Sequence, residues 1–264
     1  MGLPGRIGPV IAVTGSSLMV GCGDYGGACG SYGSYGSYGG CAAPSVNAAG
    51  IYEGSLSGVP SAKAQVVVAI IADNGEGRMS LADDTYYRLN VTTDAANFSS
   101  SFSGYSRSGS LPNGAQSISG TIAGTVASSN LSLNATLTGP DSTQQSLMLG
   151  FDNTYNLNSS LANLAGNWTA TVNGVTLTAT IQQDGSFTGA DSNNCTYSGA
   201  FTLIDANFNA YAESHARTCS GVNVTFTGLA AFFPGTGSGV TGTPTQIKLL
   251  TDSGAGDYLV AVFQ

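Results

Sequence analysis

His215 is the only histidine in the 264-residue chain, so imidazole acid–base or metal chemistry would have to pass through it. It stands in a segment, Asn207 to Cys219, whose odd positions are Asn207, Asn209, Tyr211, Glu213, His215 and Arg217. The even positions are Phe208, Ala210, Ala212, Ser214, Ala216 and Thr218. A regular strand would put a mixed-charge polar row on one face and a small apolar row on the other. Two readings follow. The polar row is a solvated face whose ion pairs contribute little, or a recognition stripe, since Tyr and Arg are enriched at interfaces. The candidate binding residues are therefore Tyr211, Glu213, His215 and Arg217, with Tyr86 and Arg88 on the corresponding stretch of the first half. Catalysis finds little support. No Gly-x-Ser-x-Gly elbow holds a nucleophile; Gly235-Thr236-Gly237-Ser238-Gly239 has its Ser one place late and reads as a glycine loop. No glycine-rich phosphate loop with a Lys occurs. Asp83 and Asp84 are adjacent and would face opposite ways in a strand, so they read as a solvated turn. The expectation is a non-enzyme without a cofactor.

The five cysteines carry the other possible chemistry. A zinc site is disfavoured, because no pair has C-x₂-C spacing and His215 has no histidine partner. Structural disulfides are expected, yet an odd count is unusual in an exported chain. The N-terminal residues bear on that parity. Arg6 precedes an apolar stretch, Ile7 to Val20, which closes on Leu18-Met19-Val20-Gly21-Cys22. Gly23 to Cys41 follows, with Gly-Ser-Tyr repeated over 30–38. A spanning helix needs about 20 apolar residues, and this stretch is shorter and broken by Pro9, Gly15, Ser16 and Ser17. A charge, a short apolar region and a small residue before a cut describe a processed signal.

That order resembles a bacterial lipoprotein signal peptide, its lipobox and a tether. The resemblance implies that Cys22 is the multiply acylated first residue of the mature chain, which anchors stably where one chain would not. Gly23 after it resembles the outer-membrane sorting pattern. Ordinary cleavage near Gly21, leaving a plain thiol, is the alternative. With Cys22 lipidated, four cysteines allow three pairings; Cys195–Cys219 and Cys29–Cys41 are favoured. The first closes about 25 residues and would contribute about 3 kcal/mol in the chain-entropy account. The segment with Tyr25, Tyr32, Tyr35 and Tyr38 reads as a flexible spacer with a root-mean-square span of about 25–30 Å.

Composition narrows the partner. Charged residues are 8% and apolar ones 42%, unlike the low-hydrophobicity, high-charge signature of disorder. A net charge of −8 with seven scattered Lys and Arg argues against nucleic acid, which needs clustered cations.

From about residue 47 the chain reads as strands. Val66 to Ile71 is a continuous apolar run, whereas Leu131 to Leu137 and Val175 to Ile181 alternate with period two. Turn signals separate such runs, among them Asp73-Asn74-Gly75, Pro112-Asn113-Gly114, Asp184-Gly185, Ser220-Gly221 and Gly254-Ala255-Gly256. No stretch has a convincing helical period. The halves echo each other. Ala49-Gly50-Ile51-Tyr52 matches Ala165-Gly166-Asn167-Trp168, Ile71 to Gly75 matches Ile181 to Gly185, and Ser119 to Ile122 matches Thr227 to Ala230. The repeat is therefore a domain. Each copy avoids exposed edges best by closing on itself. The expected fold is all-β: two tandem antiparallel eight-stranded barrels, or else β-sandwiches. The expected boundaries are a signal at 1–21, a tether at 22–46, and domains at 47–152 and 153–264, joined near Asp152 to Ser160.

Gly166-Asn167-Trp168, with Tyr52 replacing Trp in the first copy, resembles the Gly-x-Trp that opens the first strand of lipocalin-type barrels. There a large aromatic plugs one barrel end and Gly permits a tight entry. Ser119 to Val126, Tyr155 to Trp168, Asp184 to Gly189 and Asn193 to Gly199 resemble uncharacterised proteobacterial lipoproteins with a repeated β-barrel unit. Anchor, tether and two barrels are similar in architecture to factor H-binding protein and transferrin-binding protein B. Together these imply a lipid-anchored outer-membrane lipoprotein, periplasmic or surface-exposed, with a protein-binding or structural role. The alternative is a carrier of a small apolar ligand inside a barrel.

Overall fold

The computed structural model describes residues 48–57, 65–94, 96–109, 111, 114–127, 132–140, 142, 144–235 and 245–264. The expected lipidation site Cys22, the Cys29–Cys41 pair, the signal and the tether lie outside them. Among the described residues sixteen strands follow one another. The first eight are β1 (Gly50–Leu56), β2 (Gln65–Ile71), β3 (Glu76–Leu81), β4 (Thr85–Asp94), β5 (Asn97–Ser106), β6 (Ser117–Val126), β7 (Leu133–Thr138) and β8 (Gln144–Asp152). The second eight are β9 (Gly166–Val172), β10 (Val175–Ile181), β11 (Ser186–Asp191), β12 (Thr196–Leu203), β13 (Tyr211–Cys219), β14 (Val222–Phe233), β15 (Gln246–Asp252) and β16 (Tyr258–Phe263). Within each set of eight, every neighbour in sequence is an antiparallel neighbour in the sheet, the up-and-down order. In the first half β1 also pairs with β8, from Ile51↔Asp152 to Leu56↔Leu147, and closes the barrel. In the second half the outer strands meet where Thr169 and Gln264 exchange both backbone hydrogen bonds, at 3.1 and 2.9 Å. The two-barrel expectation is met.

The repeats fall on equivalent positions. Tyr52 donates its hydroxyl to the Ala48 carbonyl at 2.9 Å, and Trp168 donates Nε1 to the Leu164 carbonyl at 2.7 Å. Each bond reaches back four residues and stitches the barrel's first strand to the chain entering it. The second match is the turn after the second strand. Gly75 N–H bonds to Ala72 O and Gly185 N–H to Gln182 O, with both glycines at positive φ (83° and 86°). A side-chain oxygen two residues before the next strand's first residue caps each turn: Asn74 for Glu76 N–H and Asp184 for Ser186 N–H. The third match lies on β6 and β14. There a Cβ at Gly120 would overlap the Thr138 carbonyl oxygen, and one at Gly228 the Leu250 carbonyl oxygen.

Three cores result. One fills the first barrel with Tyr52, Met79, Tyr87, Phe102, Ile122 and Leu149 among others. A second fills the other barrel with Leu177, Phe187, Phe201, Tyr211, Ile247 and Phe263. The third lies between the barrels, where Ile51, Val68, Ile70 and Tyr86 of the first meet Leu229, Ala231, Leu250 and Tyr258 of the second. It explains the continuous apolar run on β2: Val66, Ala69 and Ile71 face into the barrel, Val68 and Ile70 into the junction. A strand covered on both faces has no reason to alternate. The linker after β8 carries a short 3-10 turn (Asn153–Asn156) and one helical turn, α1 (Leu161–Leu164). Tyr155 from that linker stacks on Phe208 at 4.9 Å.

Candidate functional site

The polar row of β13 points inward. Its parity is set by Tyr211, which is fully buried in the second core; positions 213, 215 and 217 then share that face. Glu213 and His215 are both 3% exposed. The neighbouring strands accommodate them. Across β12 the partner of His215 is Gly199, where an added Cβ would lie 2.6 Å from His215 Cβ, so the absent side chain makes room for the imidazole. Across β14 the partner is Phe226, whose ring stacks on His215 at 4.9 Å and 4°. Phe187 and Tyr197 tilt around it at 6.2 and 5.8 Å.

The carboxylate completes the pair. Glu213 Oε1 lies 2.8 Å from His215 Nδ1. Glu213 Oε2, His215 Nε2 and Thr251 Oγ1 are buried with no hydrogen-bond partner. Gly228 separates Glu213 from Thr251 in the cross-strand row. Burial pushes the Glu213 carboxyl up from its ordinary pKa, and the hydrogen bond and charge of His215 pull it back in part. Further along the row, Arg217 lies over the Phe226 ring at 4.9 Å and reaches Asp257 at 3.1 Å. Tyr197 donates to Asp191 at 2.8 Å. The opening beside His215 has about 20 Å³ and is lined by Leu177, Phe187, Tyr197 and Phe263, room for about one water molecule. A hydrogen-bonded carboxylate and imidazole are thus held in an aromatic box beside an opening of about one water's volume.

Several expectations are corrected. The stripe of Tyr211, Glu213 and His215 is neither a solvated face nor an exposed recognition surface; it lines the barrel. The small row of Ala212, Ser214, Ala216 and Thr218 faces outward instead. The strand begins at Tyr211, not Asn207. Asp205 caps a turn at Asn207 N–H (2.8 Å), and Asn209 turns away to bond both the N–H and C=O of Phe232. Tyr86 and Arg88 lie on the fourth strand of their barrel, whereas β13 is the fifth of its own. Tyr86 is buried at the junction, its hydroxyl on Asp252 at 2.8 Å. Arg88 remains half-exposed, 3.6 Å from the same carboxylate.

Cys195 and Cys219 are bonded, joining the residue before β12 to the last of β13. Asp83 and Asp84 form the β3–β4 turn, where Asp83 accepts from Thr85 N–H at 3.0 Å. Residues not singled out in the sequence prove structurally central. Arg78 is 1% exposed, bonded to Glu76 at 2.7 Å and paired with Asp252 at 3.3 Å. Asp252 also accepts from Gly254 N–H at 2.9 Å. An Arg between Gly77 and Met79 was the available signal: a cation inside a strand whose positions from Gly77 to Leu81 are all buried.

Among the described residues no group of three or more His, Cys, Asp or Glu could hold a metal ion. Comparison with protein-family models, curated proteins and solved structures found no match.

Proposed function

We propose that this protein is a lipid-anchored lipoprotein of the bacterial outer membrane, fixed through Cys22, whose twin-barrel body has a non-catalytic protein-binding or structural role. The observation that carries the reading is the filling of the barrels. The chain's only imidazole and its carboxylate partner are enclosed by Phe187, Tyr197 and Phe226 beside an opening of about 20 Å³. That favours surface binding over catalysis, and equally over carriage of an apolar ligand, which needs a roomy interior. The covered junction supports a body that acts as one rigid block, the property a spacer-mounted binding or scaffolding module requires. The address rests on the sequence, from Arg6 through the lipobox to the Gly-Ser-Tyr segment.

The test is metabolic labelling with a palmitate analogue, followed by detergent phase partitioning. The native chain should carry label and enter the detergent phase, and Cys22→Ala should do neither. Equal labelling of the two would overturn the anchor. Protease treatment of intact cells then reports whether 47–264 face outward.

A further inference from the structure

The outward face of the first barrel carries a polar grid that the packing of the molecule leaves in the open except at Arg78, which the junction covers. Strand register defines it. One cross-strand row runs Arg78–Arg88–Ser103–Ser119, and the adjacent row runs Glu76–Asn90–Ser101–Thr121. Strands lie about 4.8 Å apart and same-face residues along a strand about 6.6 Å apart, so the grid spans roughly 14 by 7 Å. These residues line a groove of about 800 Å³ over β3 to β6, within the usual range for a small-ligand site, about 300–1,000 Å³. The β15–β16 turn of the second barrel stands at its charged end, where a Cβ on Gly254 would lie 3.9 Å from Arg88 Nη1.

The chemistry of the grid selects its ligand. Its charged end is balanced: Arg78 is held by Glu76 and Asp252, and Arg88 faces Asp252. An anion or a cation therefore meets no net attraction. Arg78 is a buried cation at the edge of the groove, its Nη2 on Glu76 and its Nε 3.3 Å from Asp252, and the Arg88 side chain is half in solvent. Beyond these, the open positions are hydroxyls and an amide, which both donate and accept. No aromatic ring stands exposed in the two rows, so an apolar or planar ligand gains nothing there. A chain of pyranose rings presents hydroxyls that donate and accept at intervals close to the strand spacing.

We infer that this groove binds a neutral linear oligosaccharide of about three sugar units, laid across β3 to β6. Glu76 accepts from hydroxyls at one end, Arg88 and Asn90 bridge neighbouring hydroxyls, and Ser101, Ser103 and Thr121 bond the remainder. Such binding requires neither the anchor at Cys22 nor a particular direction for the body to face.

The experiment is a backbone and Arg side-chain NMR titration of the full-length chain with cellotriose, triacetylchitotriose and maltotriose, with trigalacturonic acid as the charged comparator. At least one neutral trisaccharide should give saturable shifts confined to residues 76–78, 88–90, 101–103 and 119–121. Ser101→Tyr fills the centre of the grid from an exposed position and should weaken binding roughly tenfold or more without lowering Tm. Arg88→Gln should weaken it less, as one polar partner is exchanged for another. No saturable shift with any neutral trisaccharide overturns the inference. So do shifts elsewhere on the surface, unchanged binding in Ser101→Tyr, or tighter binding of trigalacturonic acid.

Discussion

A carboxylate and an imidazole inside a hydrocarbon core are costly unless they satisfy each other. Glu213 and His215 do so with one hydrogen bond and leave an unpaired atom on each side. The raised pKa of Glu213 dictates a pH dependence. A carboxyl raised on folding contributes stability below its ordinary pKa and loses that contribution as pH rises through the raised value. Glu213→Gln cannot ionise and keeps an amide beside His215. Its Tm relative to the native chain should therefore climb as pH rises above the ordinary carboxyl range. Thermal melts across that rise check it; a difference constant with pH would refute the assignment. His215→Ala leaves the buried carboxylate unpartnered and should cost about 3–5 kcal/mol, read by denaturant unfolding.

At the scale of the element, each barrel begins with an aromatic that bonds a carbonyl four residues earlier. Trp168→Phe retains the ring contact and loses the Nε1 bond to Leu164, so chemical denaturation should show a loss of about 0.5–1.5 kcal/mol. Gly228 has a different role: its bare Cα lets β14 lie against the Leu250 carbonyl. Gly228→Ala should destabilise by about 2 kcal/mol or more, because the obstacle is backbone and cannot turn aside. A cost under half a kcal/mol would show that the strands can part. The Cys195–Cys219 bond closes the β12–β13 pair over a separation of 24 residues. Reduction should lower stability by about 3 kcal/mol on the loop-entropy account, measured by melting with and without dithiothreitol.

At the scale of the molecule, the barrels share a third core with a charged centre. Arg78 is fully enclosed, Asp252 is 1% exposed, and Tyr86 stacks on Tyr258 at 5.3 Å while donating to that carboxylate. Flanking this are Lys248–Glu53 at 3.0 Å and Arg107–Asp84 at 3.2 Å, exposed pairs that contribute little. Asp252→Asn removes the charge that compensates Arg78 and should cost about 3–5 kcal/mol. The loss should fall on the coupling between barrels. The native chain should unfold in one cooperative step and Asp252→Asn in two, resolved by calorimetry; a single transition in the variant would contradict the junction's role.

Much of this architecture is legible in the residue order, because it is written in local rules. Turn glycines, period-two alternation and matched Gly-x-aromatic entries depend on a few neighbouring residues, and they located the strands and the repeated barrel unit. The Cys195–Cys219 bond is one of the pairings the sequence left open, favoured there because it closes a loop within one domain. What the order could not convey is which face of β13 is inside. Alternation states that two rows oppose each other; only the neighbours Tyr211, Phe226 and Gly199, brought together from three strands, decide which row the core receives. The polar row went in because aromatic rings and a vacant glycine position had already built its container. The junction was equally hidden, since Arg78 and Asp252 are separated by most of the chain. Their pairing exists only where two closed barrels press together. So the strands were set by local pattern, while the buried polar pair, the shared core and the open grid across β3 to β6 were set by packing between segments distant in sequence.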